Sequence, residues 1–246
     1  MRRANVLIVI LLATLALALI ACGGDDEEAT GAATATTGAT ATTATTATTQ
    51  RPTSQGGCRI VPAPRPAADS DRRRPRQRLS RERVHTATIR TNCGTIRIRL
   101  DVARAPRTTS SFAALARSRF YDGLAFHRVA RPGGNDFVIQ GGDPLGTGNG
   151  GPGYSVVERP PRDTRYRRYV VAMAKTQTDP PGTSGSQFFI VTAADAQLPP
   201  EYAILGRVVG DKRAVRRIAA IATDPATEAP EIPIVMRSVR ISSRPR

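Results

Sequence analysis

The stretch AFHRVARPGGNDFVIQGGDP spans residues 125–144. Two short apolar runs, AFHRV and FVIQG, flank a segment rich in Pro, Gly, Asn and Asp, so it reads as two strands around a turn. Strict alternation on the first strand puts Phe126 and Arg128 on one face and His127 on the other. The mix of His, Arg, Gln and Asp has the look of a site. Yet it holds no nucleophile paired with a base and no paired carboxylates for hydrolysis. Asp136 and Asp143 lie in turns, where Asp commonly bonds nearby backbone. His127 alone reads as a packed, satisfied histidine.

Short strands recur outward from this stretch. TATIRT and TIRIRL flank an Asn-Cys-Gly turn; in the second run Ile96, Ile98 and Leu100 alternate with Arg97 and Arg99, the period of a half-buried strand. YVVAMA, FFIVT, YAILGRVV and IPIVMRSVRIS follow later. Helical spacing appears twice, in PRTTSSFAALARS after Pro106 and in DKRAVRRIAAIA. Many short strands separated by Gly and Pro, with two helices, predict a mostly β fold: a closed antiparallel barrel with helices over its ends.

N-terminal to the predicted domain the composition changes. Arg2 and Arg3 precede the apolar run at residues 6–20, which suits a secretory signal and is short for a membrane span. Residues 19–22 read LIAC and resemble a bacterial lipobox, with Cys22 as the lipidated residue; an ordinary signal peptide is the alternative. Residues 29–49 are nearly all Ala, Thr and Gly, too poor in large apolar side chains to form a core. Pro and Arg dominate from Gln50 to Arg83, which predicts an extended, charged segment. The expected organisation is a signal peptide at 1–21, a disordered tether at 22–83 and a folded domain at 84–246.

The formal charge is +16, or +14 once Arg2 and Arg3 depart (16 − 2). Export demotes nucleic acid as the acidic partner and favours anionic lipid or cell-wall phosphate. Cys58 and Cys93 remain after Cys22 and pair in an oxidising compartment or stay as buried thiols. Without a CxxC, and with only His85 and His127, no metal set is present. Gly148, Gly150 and Gly153 match GxGxxG, but no helix follows, so they read as a surface loop.

Taken together, FHR at residues 126–128, F-x-x-QGGD at 137–143, Met173-Ala174 and GSQFFI at 185–190 resemble the cyclophilin family of peptidyl-prolyl isomerases. The resemblance covers residues 84 to 243. It implies an eight-stranded antiparallel closed barrel capped by two helices, monomeric and without cofactor or metal. It implies catalysis by Arg128, with Gln140 orienting it and Phe137 in the proline pocket. Val138, Phe189 and Leu198 complete that pocket, Ala174, Lys175 and Gln187 line the peptide groove, and Tyr202 bonds the substrate carbonyl. Three departures stand out. Arg128 and Phe137 are nine positions apart where the family spacing gives five. Lys175 replaces a common Asn. Gln197, a further substrate-contacting position by the same resemblance, replaces the Trp of many eukaryotic members. The implied partners are proline-containing polypeptides, with no specific nucleic acid. The chain is expected to be exported and held at the outer face of the cytoplasmic membrane by its lipid. A non-catalytic proline-peptide binding module or holdase is the alternative.

Overall fold

Ile96, Ile98 and Leu100 are buried and the arginines between them exposed, as their alternation requires. They belong to β4 in a computed structural model that describes residues 53–67 and 71–246. The signal-like run, Cys22 and the Ala/Thr tract lie outside the described residues.

In chain order the elements begin with two short strands, β1 (Ser54–Gln55) and β2 (Cys58–Arg59). The hairpin β3 (Arg83–Thr91) and β4 (Gly94–Leu100) comes next, then α1 (Pro106–Arg117), β5 (Phe126–Ala130) and β6 (Val138–Gly141). After these lie β7 (Val156–Val157), β8 (Val170–Met173), β9 (Thr183–Ser184) and β10 (Phe188–Val191). The chain finishes with β11 (Ile204–Val209), α2 (Arg213–Ala219) and β12 (Met236–Pro245).

Eight strands form one antiparallel sheet in the order β12-β3-β4-β11-β8-β10-β6-β5. Its two edges meet. Phe126 N–H donates to Ile234 O at 2.8 Å and Met236 N–H to Leu124 O at 2.8 Å, and Ala125 bridges Val235. Edge groups that would otherwise face solvent are thereby paired, which closes the expected barrel.

The consecutive Phe188 and Phe189 show how the sheet separates two apolar clusters. Phe188 points into the barrel, 5.7 Å from the rings of both Phe112 and Phe126. Phe189 points outward, onto a second cluster with Val138, Tyr166, Ala172 and Val191. Helix α1 buries Phe112, Leu115 and Ala116 against the core. No side chain of its own caps its start. Instead the Glu158 carboxylate accepts from the N–H groups of Arg107 and Thr108 at 2.9–3.1 Å, filling orphan donors and placing negative charge at the helix N-terminus.

The expected boundary at Val84 is corrected: the described part of 53–83 is held on the barrel. Cys58 is fully buried and disulfide-bonded to Cys93 in the β3–β4 turn, with Cα atoms 4.1 Å apart. Leu79 is in the core, and its N–H donates to Ser110 Oγ at 2.9 Å. Ala67 and Arg72 donate backbone bonds to Pro144 and Pro152. Between these anchors the described residues have no regular structure, as their Pro and Arg content predicts. Composition alone does not reveal where a single cysteine and a single leucine fasten it.

Candidate active site

Strand β5 breaks its own alternation. Phe126 pairs with Gly141, but Arg128 pairs with Gln140, so His127 is the extra residue of a β-bulge. Phe126 therefore enters the barrel core while Arg128 turns to the outer face. The expectation that Phe126 and Arg128 share a face is overturned, because one inserted residue reverses the direction of every side chain after it. His127 is packed, but among the described residues it is not satisfied: both ring nitrogens are buried without a hydrogen-bond partner there. Burial pushes its pKa below the ordinary value; Asp143 pulls it up and Arg128 pushes it further down.

On the outer face, one cross-strand row runs Ile204–Ala172–Phe189–Gln140–Arg128 across β11, β8, β10, β6 and β5. Neighbouring strands are about 4.8 Å apart, so the row brings Phe189, Gln140 and Arg128 side by side. They line a pocket of about 130 Å³ with Phe137, Val138, Ala174, Lys175, Leu198 and Tyr202. Nine of the eleven substrate-contacting residues implied by the sequence thus meet in one place. The pocket is far smaller than the ~300–1,000 Å³ of typical small-molecule sites; it suits one compact side chain.

Gln187 stands just behind it. Gln140 Nε2 donates to Gln187 Oε1 at 3.0 Å, and Gln140 Oε1 accepts from Arg128 Nη1 at 3.2 Å. Gln187 Nε2 in turn donates to Gly148 O at 2.7 Å and Gly150 O at 3.0 Å. The glycine-rich loop is therefore a support for the polar network. Asp143 braces its other side by accepting from Leu145 N–H at 2.8 Å and from Gly148 N–H. A Cβ at Gly150 would collide with Asp143 Oδ1, so the packing requires glycine there.

Gln197 is placed apart from the pocket lining. It is exposed and holds a left-handed backbone, φ 51°. The Lys175 side chain is only 4% exposed. Its ammonium folds back 3.2 Å from Glu201 and donates to Thr176 O and Asp179 O, so it presents mainly its stem to the groove.

Sequence reasoning missed two residues. Glu228 Oε2 accepts from Arg128 Nε at 2.6 Å. The partners are 100 residues apart, and nothing local in ATEAP marks the glutamate. Its backbone φ is 57°, and its carbonyl accepts from Val129 N–H at 2.9 Å. The enlarged turn at residues 131–134 shares a cleft with residues 223–225 and Glu228, so the inserted residues sit beside the loop that carries this carboxylate. The second is Tyr166, fully buried against Phe189 and Tyr202. Its hydroxyl donates to Tyr202 O at 2.7 Å and accepts from Tyr202 N–H at 2.9 Å. Burial raises its pKa to about 12, against the lowering effect of the bond to Tyr202, so it remains a neutral hydroxyl.

The guanidinium has five N–H donors. Glu228 takes Nε–H and Gln140 takes one at Nη1, leaving three without a partner among the described residues (5 − 2). This arrangement offers an apolar seat beside a fixed cation. It has no nucleophile and needs none if the reaction breaks no covalent bond.

A family model for cyclophilin-type peptidyl-prolyl cis-trans isomerases matches residues 86–241. Peptidyl-prolyl cis-trans isomerase B of Streptomyces anulatus is 39% identical over 176 residues, 64% of this chain and 97% of that protein. Peptidyl-prolyl cis-trans isomerase A of Mycobacterium tuberculosis is 38% identical over 175 residues, 64% of this chain and 92% of that protein. A crystal structure of a Cryptosporidium parvum cyclophilin-type isomerase, obtained in the presence of the dipeptide Ala-Pro, superposes with a TM-score of 0.58 at 31% identity. It covers 65% of this chain and 99% of that one.

Proposed function

The chain belongs to the cyclophilin-type peptidyl-prolyl cis-trans isomerases, and from that premise we propose that Arg128 drives X-Pro rotation in exported proteins, assisting their folding. Amide resonance sets a barrier of about 18–20 kcal/mol. X-Pro bonds alone populate both isomers appreciably. Acceleration requires stronger binding of the twisted amide than of either planar form.

The pocket supports that requirement. Phe137, Val138, Phe189 and Leu198 seat the pyrrolidine ring. As the amide twists, the imide nitrogen turns pyramidal and gains basicity. The free N–H donors of Arg128 then bond that nitrogen and brace the adjacent carbonyl. Because Glu228 and Gln140 already fix the guanidinium, little reorganisation remains for the transition state. Tyr202 borders the same pocket and serves the substrate carbonyl, while Ala174, Lys175 and Gln187 border the path of the peptide.

The single observation that carries this reading is Arg128 held on two sides beside an apolar pocket of proline size. Exchange NMR of an X-Pro peptide with the full chain tests it. Arg128→Ala should lose on the order of 10²-fold in rate with the fold retained; an unchanged rate overturns the assignment.

The second part of the proposal is export and anchoring through Cys22. The LIAC sequence after an apolar run supports it. Stable retention takes more than one acyl chain, which a diacylated cysteine supplies. Cys22→Ala should move the protein out of the detergent phase; unchanged partitioning overturns the anchor.

A further inference from the structure

Behind the proline pocket, on the same outer sheet face, lies a cleft of about 750 Å³ lined, among the described residues, by eight arginines and two acidic side chains, Asp101 and Asp163. Asp101 is already taken by Arg104 at 2.7 Å. Arg99, Arg165, Arg167 and Arg207 are exposed and form no ion pair among the described residues. Arg99 and Arg207 are direct cross-strand partners on β4 and β11, where like charges repel. A chain that merely needed solubility would not require two arginines opposed in a concavity. An anionic ligand lying between them would relieve the repulsion.

The cleft adjoins the pocket. Ile204 and Val170 line the cleft, and both pack on the cluster of Phe189, Leu198 and Tyr202. Val170 pairs with Arg207, and Ile204 with Ala172, the neighbour of Phe189 in the pocket row. Counting strands and residues, Arg207 and Arg99 lie roughly 12–16 Å from Phe189 along the sheet. An extended chain covers that in about four or five residues, and a six-residue spacer leaves one or two for a detour.

We infer that the cleft is a second subsite for an extended acidic segment of the same polypeptide whose proline occupies the pocket. This rests on the assignment of the Arg128 pocket as the proline site. Two observations favour polypeptide over a phosphate polymer. The cleft mixes its arginines with the half-buried Val84, Val170 and Ile204, an amphipathic wall that fits a peptide of mixed side chains. It also lies roughly 12–16 Å along the sheet from the pocket proposed to take peptide. Guanidinium suits carboxylates through paired N–H donors. The isomerase therefore selects acidic clients.

The experiment uses the full chain and one X-Pro core peptide. A six-residue Gly-Ser spacer joins the core to a tail of four aspartates, four serines or four lysines, on either side of the proline. On at least one side the aspartate tail should raise kcat/KM about 5- to 30-fold over the serine tail at low salt, mainly through KM. The gain should shrink as ionic strength rises, and the lysine tail should fall below the serine tail. Arg99→Ser/Arg207→Ser should abolish the gain and keep the wild-type rate on the serine-tailed peptide, which also reports its folding. Equal rates for the aspartate and serine tails, or a gain that survives in the double variant, overturns the inference. So does calorimetric binding of inorganic polyphosphate that needs Arg99 and Arg207 while the aspartate tail brings no gain, which would make this a phosphate-polymer site. Failure of the pocket reading looks different: no peptide would be turned over, while calorimetric binding of the aspartate-tailed peptide would still decide the cleft.

Discussion

The carboxylate of Glu228 sits 2.6 Å from Nε of Arg128, on the side of the guanidinium away from Gln140. A short charge-assisted bond of this kind fixes a long side chain whose free rotamers would otherwise have to be frozen in each catalytic cycle. The pair is about a third exposed, 36% for Arg128 and 29% for Glu228, so solvent screens it and its worth is about 0.5–1 kcal/mol. Glu228→Ala should lower kcat/KM about two- to fivefold. Glu228→Gln, which keeps an acceptor and loses the charge, should fall between. Steady-state assays on an X-Pro peptide check the ranking. A faster Ala variant would mean that the carboxylate restrains Arg128 more than it helps.

His127 makes stability depend on pH. Its folded pKa is depressed, foremost by burial, whereas an unfolded histidine titrates near 6.5. Above about pH 6.5 both states are neutral and this stability is fully present. Below it the unfolded chain takes the proton first, and stability falls as pH drops toward the folded value. The urea midpoint should therefore decline as pH falls below about 6.5. His127→Asn should flatten that decline. An equal slope in the variant would assign the acid sensitivity elsewhere.

The Cys58–Cys93 bridge closes a loop of 35 residues. In the chain-entropy model such a loop contributes about 3–4 kcal/mol. Here the bridge also holds Cys58 in the core and the flanking segment on the barrel. Cys58→Ser/Cys93→Ser should lower unfolding free energy by about 2–4 kcal/mol, measured by denaturation of the full chain. Protease sensitivity should rise first between residues 53 and 80. Peptide isomerisation should persist, because the pocket rests on β5, β6, β8 and β10. A midpoint unchanged from wild type would show that Leu79 and the backbone bonds suffice.

These cases show which parts of the fold the sequence makes legible. Alternation in TIRIRL reports a half-buried strand because the two sheet faces meet different solvents. Pro106 and the spacing of Phe112 and Leu115 report α1 because both act within a few residues. The bulge at His127 leaves no such mark. It depends on how β5 registers against β6, and a run of five residues reads the same with or without it. Motif resemblance recovered Arg128, Gln140 and Phe189 as a set, which alternation alone would have sorted wrongly at Phe126. Glu228 and Tyr166 stayed invisible because their roles arise only when distant loops close over the sheet.

Tyr166 offers the sharpest separation of packing from chemistry. Its hydroxyl is the partner of both backbone groups of Tyr202, at 2.7 and 2.9 Å. Its ring lies 5.9 Å from that of Tyr202 and 6.4 Å from that of Phe189. Tyr166→Phe keeps the ring and removes the oxygen. Tyr202 N–H and C=O are then left without partners beneath a buried side chain, which costs about 1–3 kcal/mol of stability. Tyr202 loses its fixed position on the pocket wall, but Arg128, Glu228 and Gln140 are untouched. Peptide binding should suffer before chemistry: KM should rise about two- to tenfold, with kcat within about twofold of wild type. Glu228→Ala should show the reverse split, because it loosens the group that meets the twisted amide. Denaturation and steady-state kinetics of both variants check the pair. A Tyr166→Phe protein that keeps KM and loses kcat would place Tyr166 in the arginine network instead of the pocket wall.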